Sequence, residues 1–92
     1  MGYFQMPTVH RAGNLRFVVF LDDHGPPHVH VFAPGGEAKL LLGEADGRPA
    51  LVWARGMDRG DLRRAMAETL ANRGKLLLVW RRVHGADDET EE

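Results

Sequence analysis

The sequence predicts an α+β domain, in which an antiparallel sheet of three to five strands from the N-terminal half packs against one kinked helix or a helical hairpin from the C-terminal half. Short β-branched and aromatic segments, separated by glycine and proline turns, occupy the first half. Apolar residues of the second half follow helical spacing. A chain of 92 residues, 43% hydrophobic and 27% charged, suits one small globular domain and is too short for two independent cores.

Strand signals occur in five segments, at residues 8–11, 15–21, 28–33, 37–42 and 51–53. A Gly13-Asn14 turn, the loop DDHGPP at residues 22–27, a tight turn at 34–36 and a loop at 43–49 separate them. Because the connection at 34–36 is so short, we expect residues 28–33 and 37–42 to pair as a hairpin.

The helical half begins at Asp58, a predicted N-cap with Asp61 in the first turn. The predicted apolar stripe then comprises Leu62, Met66, Thr69, Leu70, Leu76, Leu77, Trp80 and Val83. Asn72-Arg73-Gly74 interrupts it, so that either one helix kinks there or Asn72 caps a second helix. Gly85 is expected to end the helical segment. Trp53 and Trp80 are expected to fill the core against the sheet.

Composition and charge exclude several classes of protein. The chain has no cysteine, which excludes a disulfide framework and a zinc ribbon and fits a reducing cytoplasm. No apolar run approaches the roughly 18 residues of a membrane span, and the N-terminus lacks the pattern of a secretory signal. A net charge of −1 argues against a strong general polyanion binder. We divide the chain into an extension at 1–5, a domain at 6–85 and an acidic, disordered tail at 86–92.

The histidines of the stretch HGPPHVHVF are the most informative candidates for a site. Three of the chain's five histidines, His24, His28 and His30, lie within it. Alternation along a strand places His28, His30 and Phe32 on one face and Val29, Val31 and Ala33 on the other. Because the helices require the apolar face, we expect His28 and His30 to point outward, near Lys39 and Glu37.

Four chemistries suit this pattern. His24, His28 and His30 could bind a divalent metal such as zinc, with Asp22 or Asp23 as a further ligand. His28, His30 and Lys39 could instead cleave RNA by acid–base catalysis without metal. The same three side chains could contact phosphate or a nucleotide. Finally, Phe32 could anchor a protein partner within a polar rim of histidines.

Arginines of the helical half are candidates for nucleic-acid binding: Arg63, Arg64, Arg81 and Arg82. A solvated helix surface explains the same residues, because their neighbours one turn away are of mixed character. For His84, at the helix end, a favourable interaction with the helix dipole is the simplest interpretation.

Two segments carry a family resemblance. Residues 6–42, MPTVHRAGNLRFVVFLDDHGPPHVHVFAPGGEAKLLL, combine a Met-Pro-Thr start, a loop ending in Pro-Pro-His-Val-His-Val and a strand with Gly before Ala-Lys. The segment DLRRAMAETLANRGKLLLVWRRVHG has Asn-Arg before a leucine run and a tryptophan. With these features the chain resembles a small bacterial family known as a domain of unknown function, number 4160, over about residues 6–85. The motif at 26–31 is its most specific part.

The resemblance implies a compact cytoplasmic bacterial protein of a toxin–antitoxin-like two-gene pair, and it implies no catalytic residues. We therefore expect the protein to bind RNA or a small protein encoded by the neighbouring gene, through the His28, His30 and Phe32 face and the basic helix. The metal-binding or ribonuclease site is the alternative. A homodimer that pairs sheet edges and has no activity of its own is a further alternative. No membrane partner is expected.

Overall fold

The α+β fold class is confirmed by a computed structural model, which describes residues 8–43 and 47–85. The predicted extension at 1–5 and acidic tail at 86–92 lie outside these residues. One antiparallel sheet has its strands in chain order: β1 (Thr8–Ala12), β2 (Leu15–Val18), β3 (His28–Ala33), β4 (Gly36–Leu41) and β5 (Ala50–Arg55). The predicted hairpin is present, with His30 opposite Lys39 and Val31 opposite Ala38.

Close approach of two backbones fixes the end of this hairpin. A Cβ atom on Gly36 would lie 2.4 Å from the carbonyl oxygen of Gly56, in the connection that follows β5. Gly35 has φ +78°, a conformation that residues with a side chain rarely adopt. The glycine pair therefore lets the β3–β4 turn pack directly against the end of β5.

The helical half consists of α1 (Arg59–Ala71), α2 (Arg73–Trp80) and a π-helical turn (Arg81–Gly85). The Asp58 side chain accepts a hydrogen bond of 2.8 Å from the Asp61 backbone N–H, so the predicted N-cap is confirmed. Within the described residues, no helix is long and apolar enough to span a membrane.

The helical segment kinks at Asn72, and the Asn72 side chain does not cap α2. Its backbone N–H donates to the Glu68 carbonyl, and its carbonyl accepts from Leu76, so backbone bonding continues through it. Its φ of −113° and ψ of 19° depart from helical values. The Asn72 amide nitrogen donates backward to the Glu68 carbonyl at 2.9 Å and makes no capping bond to α2.

One hydrophobic core lies between the sheet and the helices. The sheet contributes Leu15, Phe17, Val19, Val29, Val31, Leu40 and Leu42, and the helices contribute Ala65, Leu76 and Trp80. Val29 and Val31 are therefore on the predicted face of β3. Leu70 is 50% exposed, so its assignment to the buried stripe was wrong. Thr69 of the predicted stripe is buried, and so is Ala65, which was not part of that stripe.

Trp53 also departs from expectation, because it lies outside this core. It pairs with Lys39 across β4 and β5, and its ring centroid is 6.0 Å from that of His30. The prediction that both tryptophans fill the core is thus correct for Trp80 and wrong for Trp53. The face of the sheet opposite the hydrophobic core therefore also carries aromatic rings.

Candidate functional site

Asp23, His28 and His30 converge at the start of β3. The Nε2 atom of His28 lies 2.7 Å from Oδ2 of Asp23, and Nε2 of His30 lies 3.4 Å from the same oxygen. One potential ligand atom from each residue lies within 4.8 Å of the other two. Among the described residues this is the one such group of three acidic or histidine side chains. Two strand residues and one loop residue thus form a compact set of potential metal ligands.

The loop between β2 and β3 places Asp23 over the histidines. Pro26 and Pro27 restrict the backbone as it returns to the sheet. The Pro27 carbonyl accepts a hydrogen bond of 2.9 Å from the Leu42 N–H, which ties the loop to the end of β4. The Pro26 carbonyl lies 3.0 Å from Nδ1 of His28. The prolines therefore shape the loop and also supply an acceptor that orients one imidazole.

His28 is buried, with 2% of its surface exposed. Its ring packs against Trp80 at a centroid distance of 4.9 Å and against His30 at 5.3 Å. The expectation that His28 points outward, away from the helices, was wrong. Alternation along β3 does keep His28 and His30 together, but the end of α2 returns to the start of this strand and covers the first of them with Trp80.

His30 is less deeply enclosed, with 12% of its side chain exposed. Its Nδ1 lies 3.2 Å from Oε2 of Glu37 on the neighbouring strand. Burial lowers the pKa of His30 below its ordinary value of 6.5, although the carboxylates of Glu37 and Asp23 act in the opposite direction. The desolvated ring therefore favours the neutral form, in which one of its two nitrogens carries a lone pair.

The polar groups around the two rings are all acceptors. Nδ1 of His28 faces the Pro26 carbonyl, and Nδ1 of His30 faces the Glu37 carboxylate, so each of these nitrogens suits a proton that it donates. Both Nε2 atoms then face Asp23, which also accepts. A neutral imidazole has only one N–H, so its other nitrogen would direct a lone pair at an acceptor oxygen. A proton or a metal cation between that nitrogen and the oxygen removes this repulsion.

The other predicted metal ligand, His24, is not part of this group. It is exposed and lines a neighbouring cleft of ≈260 Å³ together with Asp23 and His84. Nε2 of His84 donates a hydrogen bond of 3.1 Å to the Phe20 carbonyl oxygen. Its ring packs against Trp80 at a centroid distance of 4.1 Å and an angle of 42°, a contact that the dipole interpretation missed. The structure thus brings together Asp23, His28 and His30, and leaves His24 at the cleft.

Lys39 and Phe32 lie on the histidine side of the sheet. Lys39 is directly opposite His30 in the β3–β4 register and is half-buried. Phe32 is also half-buried, with the Arg16 guanidinium carbon 4.9 Å from its ring centroid. Sequence reasoning named Phe32 as an anchor but missed Arg16, whose register partner across β2 and β3 is Phe32 itself.

The predicted arginine face is not one patch. Arg63 is near the N-terminus of α1, whereas Arg81 and Arg82 follow α2, and all three are exposed. Arg64 is held near the β1–β2 turn by hydrogen bonds to Asp61 and to Asn14, the latter at 3.1 Å. These cations therefore lie at opposite ends of the helical segment.

A second polar cluster was not predicted. His10 of β1 lies 2.9 Å from Glu68 of α1 through Nε2 and 3.1 Å from the Lys75 amine through Nδ1. Asn72, at the kink, bonds to the same Glu68 carboxylate at 3.2 Å. The cluster joins the first strand to the kinked helix, and no local pattern in the sequence indicates it.

Comparison with known proteins identifies the family. Residues 14–81 match the family model described as Domain of unknown function (DUF4160). No curated protein and no solved structure matches the chain. The matched region contains Asp23, His28, His30 and every strand from β2 to β5. The chain therefore belongs to the DUF4160 family.

Proposed function

We propose that the protein binds one divalent transition-metal ion through Asp23, His28 and His30. The observation that carries the proposal is the convergence of both Nε2 atoms on one carboxylate oxygen, while both Nδ1 atoms are engaged by other acceptors. Histidine ligands in metal sites characteristically donate their second ring N–H to a carbonyl or a carboxylate, which fixes the tautomer and the ring orientation. Pro26 and Glu37 supply these two acceptors.

The distances fit such an ion after a small adjustment. Ligand bonds of about 2.0 Å in tetrahedral geometry separate neighbouring ligand atoms by about 3.3 Å. The His30–Asp23 distance of 3.4 Å already has this value, and the His28–Asp23 distance of 2.7 Å would widen by about half an ångström. Two imidazoles and a carboxylate suit zinc, iron, nickel or manganese, with the remaining positions filled by water or a substrate.

Ligation suits His28 better than acid–base exchange with RNA. Both of its nitrogens already face acceptors, and the ring is enclosed by Trp80 and the loop. A general base must lie within hydrogen-bond reach of the substrate proton that it removes. A metal ion is small enough to enter beside Asp23, whose side chain is 29% exposed, whereas an RNA backbone is not.

Calorimetric titration of EDTA-stripped protein with zinc, nickel and manganese tests the proposal. We expect one ion per chain with Kd below about 10 μM, equivalent to about 7 kcal/mol. We also expect the affinity to fall as the pH is lowered, because protons compete with the metal for the histidine nitrogens. His30→Gln and Asp23→Ala should abolish binding.

His24→Ala is the matched control, since His24 is a histidine of the same motif outside the cluster. Its Kd should stay within a factor of about three of that of the unmodified protein. On the free-energy scale, this factor is about half of a tenfold change in Kd. Absence of binding by all three metals would refute the proposal. Equal loss of binding in His24→Ala would transfer the site to the neighbouring cleft.

A second candidate function is binding of a protein partner, which the open edge of β5 supports. Within the described residues, β5 ends the sheet order and has no strand on its outer side. Leu51 and Val52 on this strand are 43% and 46% exposed. An exposed apolar edge accepts a further strand from another chain. The resemblance to toxin–antitoxin-like pairs suggests the product of the neighbouring gene as that chain.

Co-expression with the neighbouring gene tests this second candidate. The two proteins should co-purify, and Val52→Lys should separate them because edge lysines oppose strand addition. Leu70→Lys, on an exposed apolar position of α1, is the control that should retain the complex. Co-purification that survives Val52→Lys would place the partner elsewhere, and a concentration-dependent dimer lost in Val52→Lys would identify a second copy of the chain as the occupant.

A further inference from the structure

A row of aromatic rings crosses the sheet face that carries His30. Phe20 contacts His30 edge-on at a centroid distance of 4.6 Å and Phe32 at 6.4 Å. His30 in turn lies 6.0 Å from Trp53. We call these four residues, Phe32, Phe20, His30 and Trp53, the aromatic row. His30 and Phe32 lie on β3, Trp53 lies on β5, and Phe20 lies just after β2. None of the four belongs to the hydrophobic core.

A guanidinium group lies over each end of the aromatic row. The Arg16 guanidinium carbon is 4.9 Å from the Phe32 ring centroid, and the Arg55 carbon is 4.8 Å from that of Trp53. Both distances are within the range of cation–π contacts. The Arg55 side chain is 72% exposed, and its ion pair with Glu37 is long, at 3.7 Å. The outer surface of the Arg55 guanidinium is therefore open to a further planar group.

Two clefts flank Phe32. One, of ≈540 Å³, is lined by Phe32, Glu37, Arg55 and the backbone of Gly35 and Gly36. The other, of ≈280 Å³, is lined on the opposite side by Phe32, Arg11, Arg16 and Asn14. Arginines thus line both clefts, and Glu37, in the larger cleft, is the single acidic residue among the two linings. Glu37 itself is already bound to His30 and Arg55.

We propose that single-stranded nucleic acid binds across the aromatic row, with bases in the two clefts beside Phe32 and phosphates at Arg16 and Arg55. Rings and guanidinium planes stack on bases of any identity, while the arginines attract the backbone. Two clefts with separate cations require more than one nucleotide. The aromatic row shares His30 with the proposed metal site, but the contacts assigned to bases and phosphates use Phe32, Arg16 and Arg55. Measurement in EDTA therefore tests this proposal separately from metal binding.

Fluorescence anisotropy with labelled oligo(U) and oligo(A), measured in EDTA at several salt concentrations, tests the proposal without metal. Phe32→Leu should weaken binding about tenfold and leave the salt dependence unchanged, because it removes stacking and no charge. The double variant Arg16→Gln/Arg55→Gln should weaken binding and also reduce the slope of log Kd against log salt by about 1.4, since each phosphate contact to a single strand contributes about 0.7.

Arg63→Gln/Arg81→Gln is the matched control, because it removes the same charge from the exposed ends of the helical segment. It should change Kd by less than about twofold. A larger loss in this control than in Arg16→Gln/Arg55→Gln would overturn the proposal in favour of the helix arginines. Failure of the unmodified protein to bind, or equal binding of a duplex of the same sequence, would overturn it as well. Comparison with single-stranded DNA decides which nucleic acid is preferred, and either preference supports the proposal.

Discussion

Removal of the Asp23 carboxylate should destabilise the protein even when no metal is present. In Asp23→Ala, the buried Nε2 of His28 loses its only described partner at 2.7 Å, while Nδ1 remains bonded to the Pro26 carbonyl. Leaving a buried hydrogen-bonding atom without a partner costs about 1–3 kcal/mol, whether that atom is a donor or an acceptor. Because Asp23 is 29% exposed and water can partly replace it, we expect about 2 kcal/mol. In a domain of this size, that loss lowers Tm by about 10 °C.

Asp22→Ala is the control for this prediction. It removes the same charge from the adjacent, exposed position of the same loop. Its free energy of unfolding should stay within about 0.5 kcal/mol of that of the unmodified protein. The measurement is urea denaturation in EDTA, followed by circular dichroism. Equal effects of the two variants would show that loop charge, and not the bond to His28, is responsible, and an Asp23→Ala variant of unchanged stability would refute the hydrogen-bond argument.

Three further predictions concern His30, the hairpin glycines and the tryptophans. The pKa of His30 is lower in the folded than in the unfolded state, so the unfolded state binds protons more readily and stability falls as pH drops through 6.5. His30→Gln should therefore make the urea denaturation midpoint less dependent on pH between about 7.5 and 5.5. An unchanged dependence of the midpoint on pH would contradict the lowered pKa of His30. Gly36→Ala should destabilise the protein by about 3 kcal/mol, because its Cβ would meet backbone atoms at 2.4 to 2.9 Å. Gly35→Ala faces open space and should cost only about 1 kcal/mol, because of its positive φ. Thermal unfolding of the two variants compares these costs, and equal losses would refute the packing argument. Trp80→Ala should cost about 3–5 kcal/mol, enough to prevent stable folding, while Trp53→Ala should leave a cooperative unfolding transition, and the reverse order in denaturation would mean that the core is misassigned.

Local patterns in the sequence were sufficient for most of the fold. Alternation of apolar and polar residues predicted β3 and β4, and the short connection at 34–36 predicted their pairing. Asp58 indicated the start of α1 because capping depends on residues within one turn. The break at Asn72 was also visible. Its nature as a kink was not, because that depends on whether the side chain bonds forward or backward along the helix.

The composition of the candidate site depended on tertiary structure. The histidine pair of β3 follows from a two-residue period, but a loop has no repeating geometry, so its sequence did not indicate that Asp23 and not His24 faces the pair. The burial of His28 depended on where α2 ends, since Trp80 is remote in sequence and adjacent in space. The same holds for Arg16 and Arg55, which lie over the aromatic row only because the strand register places them there. The sequence by itself thus determined the strands, the helix start and the family, whereas long-range packing decided which side chains meet, because such contacts depend on the relative placement of whole elements.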